Sequence, residues 1–368
     1  MKSNLRSDRY PDGGKSVSAS HGLECVFVSL TGDCRLSCPG CIFHDFSRDF
    51  IEPGRRGECD GIRPMPLDVF ERLITEMRNM SVRKLKFGFG DEPLLHPDVA
   101  RYAALAGESG LDVGVTTSAR SLAGDVSREL LDAGVRSIIV SLNVTDYSSI
   151  ISGGDNRWVL ENLSGLLHAR KDIACSGRRV PTRILVGVIA RRGVAKDIER
   201  LIKFMEDREM LFDGVIVNAF LERAAPGGGI MTRNPRRPLG QRKPCMSPCK
   251  ELYLMADGRT FPCVPAAVEH AFMKSNCGPA RQALAGGRAE TWNLGSWPAF
   301  SLQELLEKSR ELRRIHEEER FDEVELCRQC TAWCQHYPKA RKKNACVVEE
   351  TSFWTLERIV RDETENNG

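Results

Sequence analysis

The chain has 368 residues, is 41% hydrophobic, and carries 53 Lys and Arg against 50 Asp and Glu, a formal net charge of +3. Such a length suits one large domain and a smaller one, and so even a charge balance argues against wholesale nucleic-acid binding. No apolar run approaches the ~18 residues of a membrane span, and the opening "MKSNLRSDRYPDGGKSVSASHG" lacks the apolar core of a secretory signal, so a soluble cytoplasmic protein with no membrane partner is expected.

From residue 24 to about 220, short β-rich runs alternate with helical patterns. The predicted strands are "ECVFVSL" (24–30), "KLKFGF" (84–89), "DVGVTT" (112–117), "RSIIVSL" (136–142), "RILVGVI" (183–189) and "GVIVNAF" (214–220). Near-continuous Val, Ile and Leu is the pattern of strands buried on both faces. Between them, Leu67, Phe70, Leu73, Ile74 and Met77 form one helical stripe. Val159, Leu163, Leu166 and Leu167 form a second, and Ile198, Leu201, Ile202 and Met205 a third. Six βα units in series imply a parallel sheet, curled or closed like a barrel, with ligands at the carboxyl ends of its strands.

The pattern changes after residue 223. "AAPGGGIMTRNPRRPLGQRKP" (224–244) reads as a linker, and its five cations between Thr232 and Lys243 as a solvated run. "ELYLMADGRTFPC" (251–263) reads as a hairpin turned at Asp257-Gly258. Ser301 and Glu304 form a capping box ahead of the amphipathic helix "LQELLEKSRELRRI", and a final helix is predicted over residues 352–363.

Fourteen cysteines in a chain with no sign of secretion are better read as metal ligands than as disulfides. They cluster: Cys34, Cys38 and Cys41 directly follow the first strand, and eight lie between Cys245 and Cys346. Thiolates at such spacing suit zinc or an iron–sulfur cluster. With His44 as a fourth ligand, the first group would make a Cys₃His zinc site. With three thiolates alone, a [4Fe–4S] cube would keep one iron open to an exogenous ligand.

Cys34-x3-Cys38-x2-Cys41 after the first strand of a βα repeat resembles the signature of the radical SAM enzymes. The resemblance implies a partial (β/α)₆ TIM-like barrel and a [4Fe–4S] cluster held by Cys34, Cys38 and Cys41, with S-adenosylmethionine (SAM) on the open iron. It implies a reducing partner of flavodoxin or ferredoxin type, whose electron breaks the C5′–S bond. The 5′-deoxyadenosyl radical so formed abstracts hydrogen from substrate. "GFGDEPLLHP" resembles the family's GGEP motif, with Asp91 in place of the second glycine, and so assigns SAM binding to Gly90, Asp91 and Glu92. Polar groups at later strand ends, Thr117, Ser118, Ser141, Asn143 and Arg191, are expected on the carboxylate and ribose. The residue before the third cysteine, aromatic in the family, is Gly40, so adenine is expected beside Phe43 or a residue of the fifth strand.

The C-terminal cysteines resemble the SPASM or shorter twitch extension of these enzymes, an α+β cysteine-rich domain with one or two auxiliary [4Fe–4S] clusters. Two are expected here. Their ligands would come from Cys245, Cys249, Cys263, Cys327, Cys330, Cys334 and Cys346, with Cys277 taking part if both are complete. A spare thiol, Cys249 or Cys277, could donate hydrogen to a substrate radical, and Glu222 at the sixth strand end is a candidate base. The expected organisation is a polar tail (1–23), the barrel (24–225), a linker (226–244), the auxiliary-cluster domain (245–350) and a C-terminal helix and tail (351–368). Only 23 polar residues precede the first strand, which favours oxidation or epimerisation of a small polar metabolite of sugar or aminocyclitol type over maturation of a ribosomal peptide. From another class, a zinc-stapled binding module or an iron–sulfur electron carrier is the competing reading.

Overall fold

The computed structural model describes residues 22–34, 64–122, 124–142, 157–189, 194–210, 212–218, 221–223, 230–232, 243–268, 292–328, 330, 340–343, 346–349 and 357–361. Six strands, β1 (Cys25–Val28), β2 (Lys84–Phe87), β3 (Asp112–Thr117), β4 (Ser137–Ser141), β5 (Arg183–Ile189) and β6 (Gly214–Asn218), pair in parallel and in chain order. Helices Leu67–Asn79, Val99–Glu108, Asp125–Asp132, Arg157–Cys175 and Val194–Glu206 fall between consecutive strands. This is the (β/α)₆ arrangement of a partial barrel.

The two faces of the sheet differ. Val26, Val28, Leu85, Phe87, Val113, Val115, Ile138 and Val140 are sealed in one core with Phe70, Leu73, Met77, Leu163 and Leu166 of the helices. Lys86, Thr116, Ser137, Ile139 and Ser141, which alternate with them, are only half-buried. Strand side chains alternate between faces, so the helices cover one face and the other keeps access to solvent.

Both ends of the parallel sheet are extended. β9 (Glu251–Leu254) pairs in parallel with β1, and β10 (Arg259–Phe261) folds back on it. The hairpin turns at Gly258, whose φ of +85° suits glycine, and a Cβ there would lie 2.1 Å from the Trp297 carbonyl oxygen. β11 (Gly295–Ser296) follows β10, and Glu76 Oε2 accepts from Trp297 Nε1 (3.2 Å) and Leu302 N (2.8 Å). The cysteine-rich part of the chain is therefore built onto the first strand and first helix of the barrel.

Several expectations need correction. Residues 357–361 form a strand, β14 (Glu357–Arg361), not a helix; it pairs antiparallel with β6 and continues into β13 (Cys346–Glu349) and β12 (Ala340–Lys343). An open ladder on β6 and the β-branched pair Ile359 and Val360 outweigh local helical spacing. Part of the expected linker is also ordered: β8 (Ile230–Thr232) pairs with β7 (Leu221–Arg223). The helix after Ser301 breaks at Ser309 into Leu302–Lys308 and Arg310–Glu317, where the buried Ser309 hydroxyl reaches the Leu306 (2.7 Å) and Pro248 (3.1 Å) carbonyls. Among the described residues, no helix is long and apolar enough to cross a membrane.

Candidate functional site

The end of β1 is fastened to the turn after β2. Asp91 Oδ2 accepts from the Thr31 backbone N–H (2.8 Å) and lies 3.1 Å from Thr31 Oγ1, while the Glu92 N–H donates to the Asp33 carbonyl (2.9 Å). Cys34 is the next residue. The chain comes back to the same place, since the Met65 N–H donates to the Leu30 carbonyl (2.9 Å). The first cysteine thus sits at the mouth of the sheet, against the Gly-Asp-Glu-Pro turn. Cys38, Cys41, Phe43 and His44 lie outside the described residues.

The turn itself needs glycine. Gly88 has φ +93° and Gly90 φ +78°, and a Cβ on Gly88 would meet the Thr116 carbonyl oxygen at 2.2 Å. Glu92 follows, buried, and joins the turn to the end of β3. Its Oε1 accepts from Thr117 Oγ1 (2.7 Å) and Leu94 N (3.3 Å), and its Oε2 from Ser118 N (2.7 Å) and Ser118 Oγ (2.5 Å). A carboxylate has about four acceptor positions, so Glu92 is fully occupied by the protein. Glu92, Thr117 and Ser118, each expected on SAM, come together, but as a brace with one another.

Asp91 is different. Its Oδ1 is buried with no hydrogen bond among the described residues, as is the nearby Ser29 Oγ. Burial pushes its carboxyl up to about 6, although donors from Thr31 and the proximity of Ser29 favour the charged form. An orphaned carboxylate oxygen beside the first cysteine fits the ammonium end of an amino-acid cofactor. Ser141 ends β4, half-buried; Asn143 and Arg191 lie outside the described residues.

Four C-terminal thiols form a second group. Cys245, Cys327 and Cys330 are buried and Cys263 is half-buried. Burial first, and then the proximity of Cys327 and Cys330, raises the thiols of Cys245 and Cys263 well above their usual range; Cys245 and Cys263 also face each other. A multivalent cation bound among these thiols would deprotonate them. Among the described residues, no three His, Cys, Asp or Glu side chains are drawn tightly enough to hold a single metal ion. A cubane spreads its four thiolates more widely than one zinc does, and the donor set fits it.

The group adjoins the mouth. Cys330 and Cys263 pack in an apolar cluster with Phe89, two residues before Asp91, and with Tyr253 and Phe261 of the hairpin. Tyr253 stacks on Phe27 of β1 at 4.6 Å. His316 also belongs here: its Nδ1 lies 3.2 Å from Cys245 N and its Nε2 3.4 Å from Cys327 Sγ. Nothing local in the sequence marks this histidine among the seven present.

The charged groups facing Cys249 are Arg313, Glu317 and Lys250, and burial raises its thiol to about 11. Glu222 pairs through its backbone with Met231, and Cys346 through its backbone with Lys343. Cys277 and Cys334 lie outside the described residues.

Residues 28–178 match the profile of the radical SAM superfamily: the chain carries a radical SAM domain. That superfamily indicates an enzyme and implies a [4Fe–4S] cluster and SAM. Among curated proteins it is similar to a probable GTP 3′,8-cyclase of Pyrococcus abyssi, 27% identical over 130 residues, covering 35% of this chain and 38% of that one. It is also similar to the GTP 3′,8-cyclase of Acidothermus cellulolyticus, 28% identical over 198 residues, covering 52% of this chain and 50% of that one. The match spans half or less of each relative. Similar solved structures include BtrN in complex with AdoMet and 2-DOIA, at 14% identity, 84% and 93% coverage and a TM-score of 0.46. Streptococcus suis SuiB bound to the precursor peptide SuiA is similar at 13% identity, 70% and 62% coverage and a TM-score of 0.48.

Proposed function

We propose that the protein is a radical SAM enzyme with an auxiliary-cluster extension of SPASM/twitch type, which oxidises or epimerises a small polar metabolite of sugar or aminocyclitol type. The observation that supports this is the pairing of two sites: the approach to Cys34, clamped to the Gly-Asp-Glu-Pro turn, and a group of four thiols of which Cys330 and Cys263 pack with Phe89. When bound, the cluster on Cys34, Cys38 and Cys41 with SAM supplies a 5′-deoxyadenosyl radical.

The chain's own residues divide the remaining work. Asp91 offers its unpaired Oδ1 to the SAM ammonium, and its Oδ2 holds Thr31 and hence the approach to Cys34. Glu92, Thr117 and Ser118 lock the turn to β3 so that Asp91 is held in place. Phe89, Tyr253 and Phe261 keep water from the space between the sites. Cys245, Cys263, Cys327 and Cys330 hold an auxiliary cluster close enough to take an electron from the substrate. For a second cluster, Cys277, Cys334 and Cys346 remain, since Cys249 is not grouped with another thiol among the described residues. The barrel (24–225) and the cysteine-rich unit (245–350) are the working domains, and a small reducing protein is the electron partner.

The GTP 3′,8-cyclases among its relatives support a second reading, a radical rearrangement of a nucleotide, and a peptide substrate is a third. Anaerobic turnover with aminocyclitols, amino sugars, GTP and a precursor peptide separates them. The expected result is 5′-deoxyadenosine formation stimulated by a sugar-like compound, with deuterium passed from a labelled C–H bond. Stimulation by GTP or peptide alone would overturn the substrate class.

A further inference from the structure

We propose that His316 is a positioning residue that raises the reduction potential of the auxiliary cluster by donating an Nε2–H···Sγ hydrogen bond to Cys327. The inference rests on the reading of Cys245, Cys263, Cys327 and Cys330 as the ligands of that cluster. His316 lies on the helix Arg310–Glu317 and is 2% exposed. A backbone N–H can only donate, so the contact from Cys245 N at 3.2 Å makes Nδ1 the acceptor. The ring proton is then on Nε2, and the ring is neutral. Nε2 lies 3.4 Å from Cys327 Sγ, within reach of a hydrogen bond to sulfur.

Phe321 packs against the ring with centroids 5.2 Å apart, and Leu312 and Ile315 on the same helix are buried beside Cys327. A single side chain thus joins the backbone of one thiol-bearing segment to the sulfur of another. Hydrogen bonds to ligand sulfurs are one of the protein's means of setting a cluster's potential. The bond stabilises the reduced, more negative cluster more than the oxidised one.

The test uses full-length protein purified anaerobically and reconstituted, with Cys34, Cys38 and Cys41 all changed to Ala so that only auxiliary iron is read. EPR-monitored redox titration of this protein is compared with the same protein carrying His316→Leu or His316→Gln. The expected result is a tenfold change in the reduced-to-oxidised ratio at a given potential, about 59 mV downward for a one-electron couple, in His316→Leu. His316→Gln, which keeps an N–H donor, should recover most of it. Auxiliary iron retained with an unmoved potential in His316→Leu overturns the role of His316 and leaves the cluster assignment standing. A triple-Ala protein without iron overturns the cluster assignment itself. If His316→Leu cannot keep its iron, ¹⁵N-histidine labelling of the parent decides: a weak nitrogen coupling to the reduced cluster supports the bond, and none contradicts it.

Discussion

Asp91 is half-buried, its Oδ1 is buried with no hydrogen bond among the described residues, and its neighbours only partly offset that burial. Its carboxyl is raised from 3.8 to about 6, a difference of about two pH units and, at 1.36 kcal/mol for each, about 3 kcal/mol. The sign follows from proton binding. Between about pH 4 and 6 the folded chain holds a proton that the unfolded chain has lost, so this group adds stability as pH falls through that window and opposes folding above it. Asp91→Asn should therefore make the cofactor-free protein more stable at pH 7, by up to about 3 kcal/mol, with the gain shrinking towards pH 4. Urea unfolding midpoints at pH 4.5 and 7 measure this; a variant weaker than the parent at pH 7 would show that the carboxylate has a stabilising partner. Asp91 could be picked out of the sequence because it replaces a glycine. Its grip on Thr31 could not, since the two are brought together only by the pairing of β1 with β2. Glu92 was expected on SAM from its motif, but that Thr117 and Ser118 would fill its acceptor positions depends on the turn's path.

At the scale of elements, regular periodicity carried well and chain ends did not. Strands β3 and β5 coincide with their predicted ranges, while the predicted ends of β1 and β2 run on into mouth loops. The Asp257-Gly258 hairpin was readable from two residues, but its pairing with β1 was not, because parallel register is set by contacts far apart in sequence. The segment 357–361 shows the converse: a helical pattern gave way to an open sheet edge. The capping box behaves as expected. Ser301 Oγ accepts from Glu304 N (3.2 Å), and Glu304 Oε2 accepts from Ser301 N (2.7 Å). Ser301→Ala should cost about 1 kcal/mol, read as a lowered midpoint in chemical denaturation with unchanged slope. No loss would mean that the helix start is held by Glu76 alone, through Leu302 N.

In the whole molecule, the gathering of four thiols among the five described C-terminal ones is a property of the assembled sheet. Cys245 and Cys249 are one helical turn apart, and Cys263 is far in sequence from Cys327, yet Cys245, Cys263, Cys327 and Cys330 gather while Cys249 meets Arg313 and Glu317. Spacing alone cannot report this, because it arises where the hairpin lies on β1 and the helix Arg310–Glu317 packs behind it. Iron analysis therefore separates the cysteines: Cys327→Ala should lose about four irons, one cubane's worth, and Cys249→Ala should lose none. Equal losses from both would mean that the grouping is wrong.

The account depends most on a cluster at the mouth that leaves one iron free for SAM. Its most direct test is the yield of 5′-deoxyadenosine from SAM under a strong reductant, in the anaerobic parent protein and in Cys38→Ala. The parent should form it and the variant should form none, while the variant keeps its auxiliary iron. Continued formation by Cys38→Ala, or a parent that binds zinc at Cys34 and leaves SAM intact, would contradict the account.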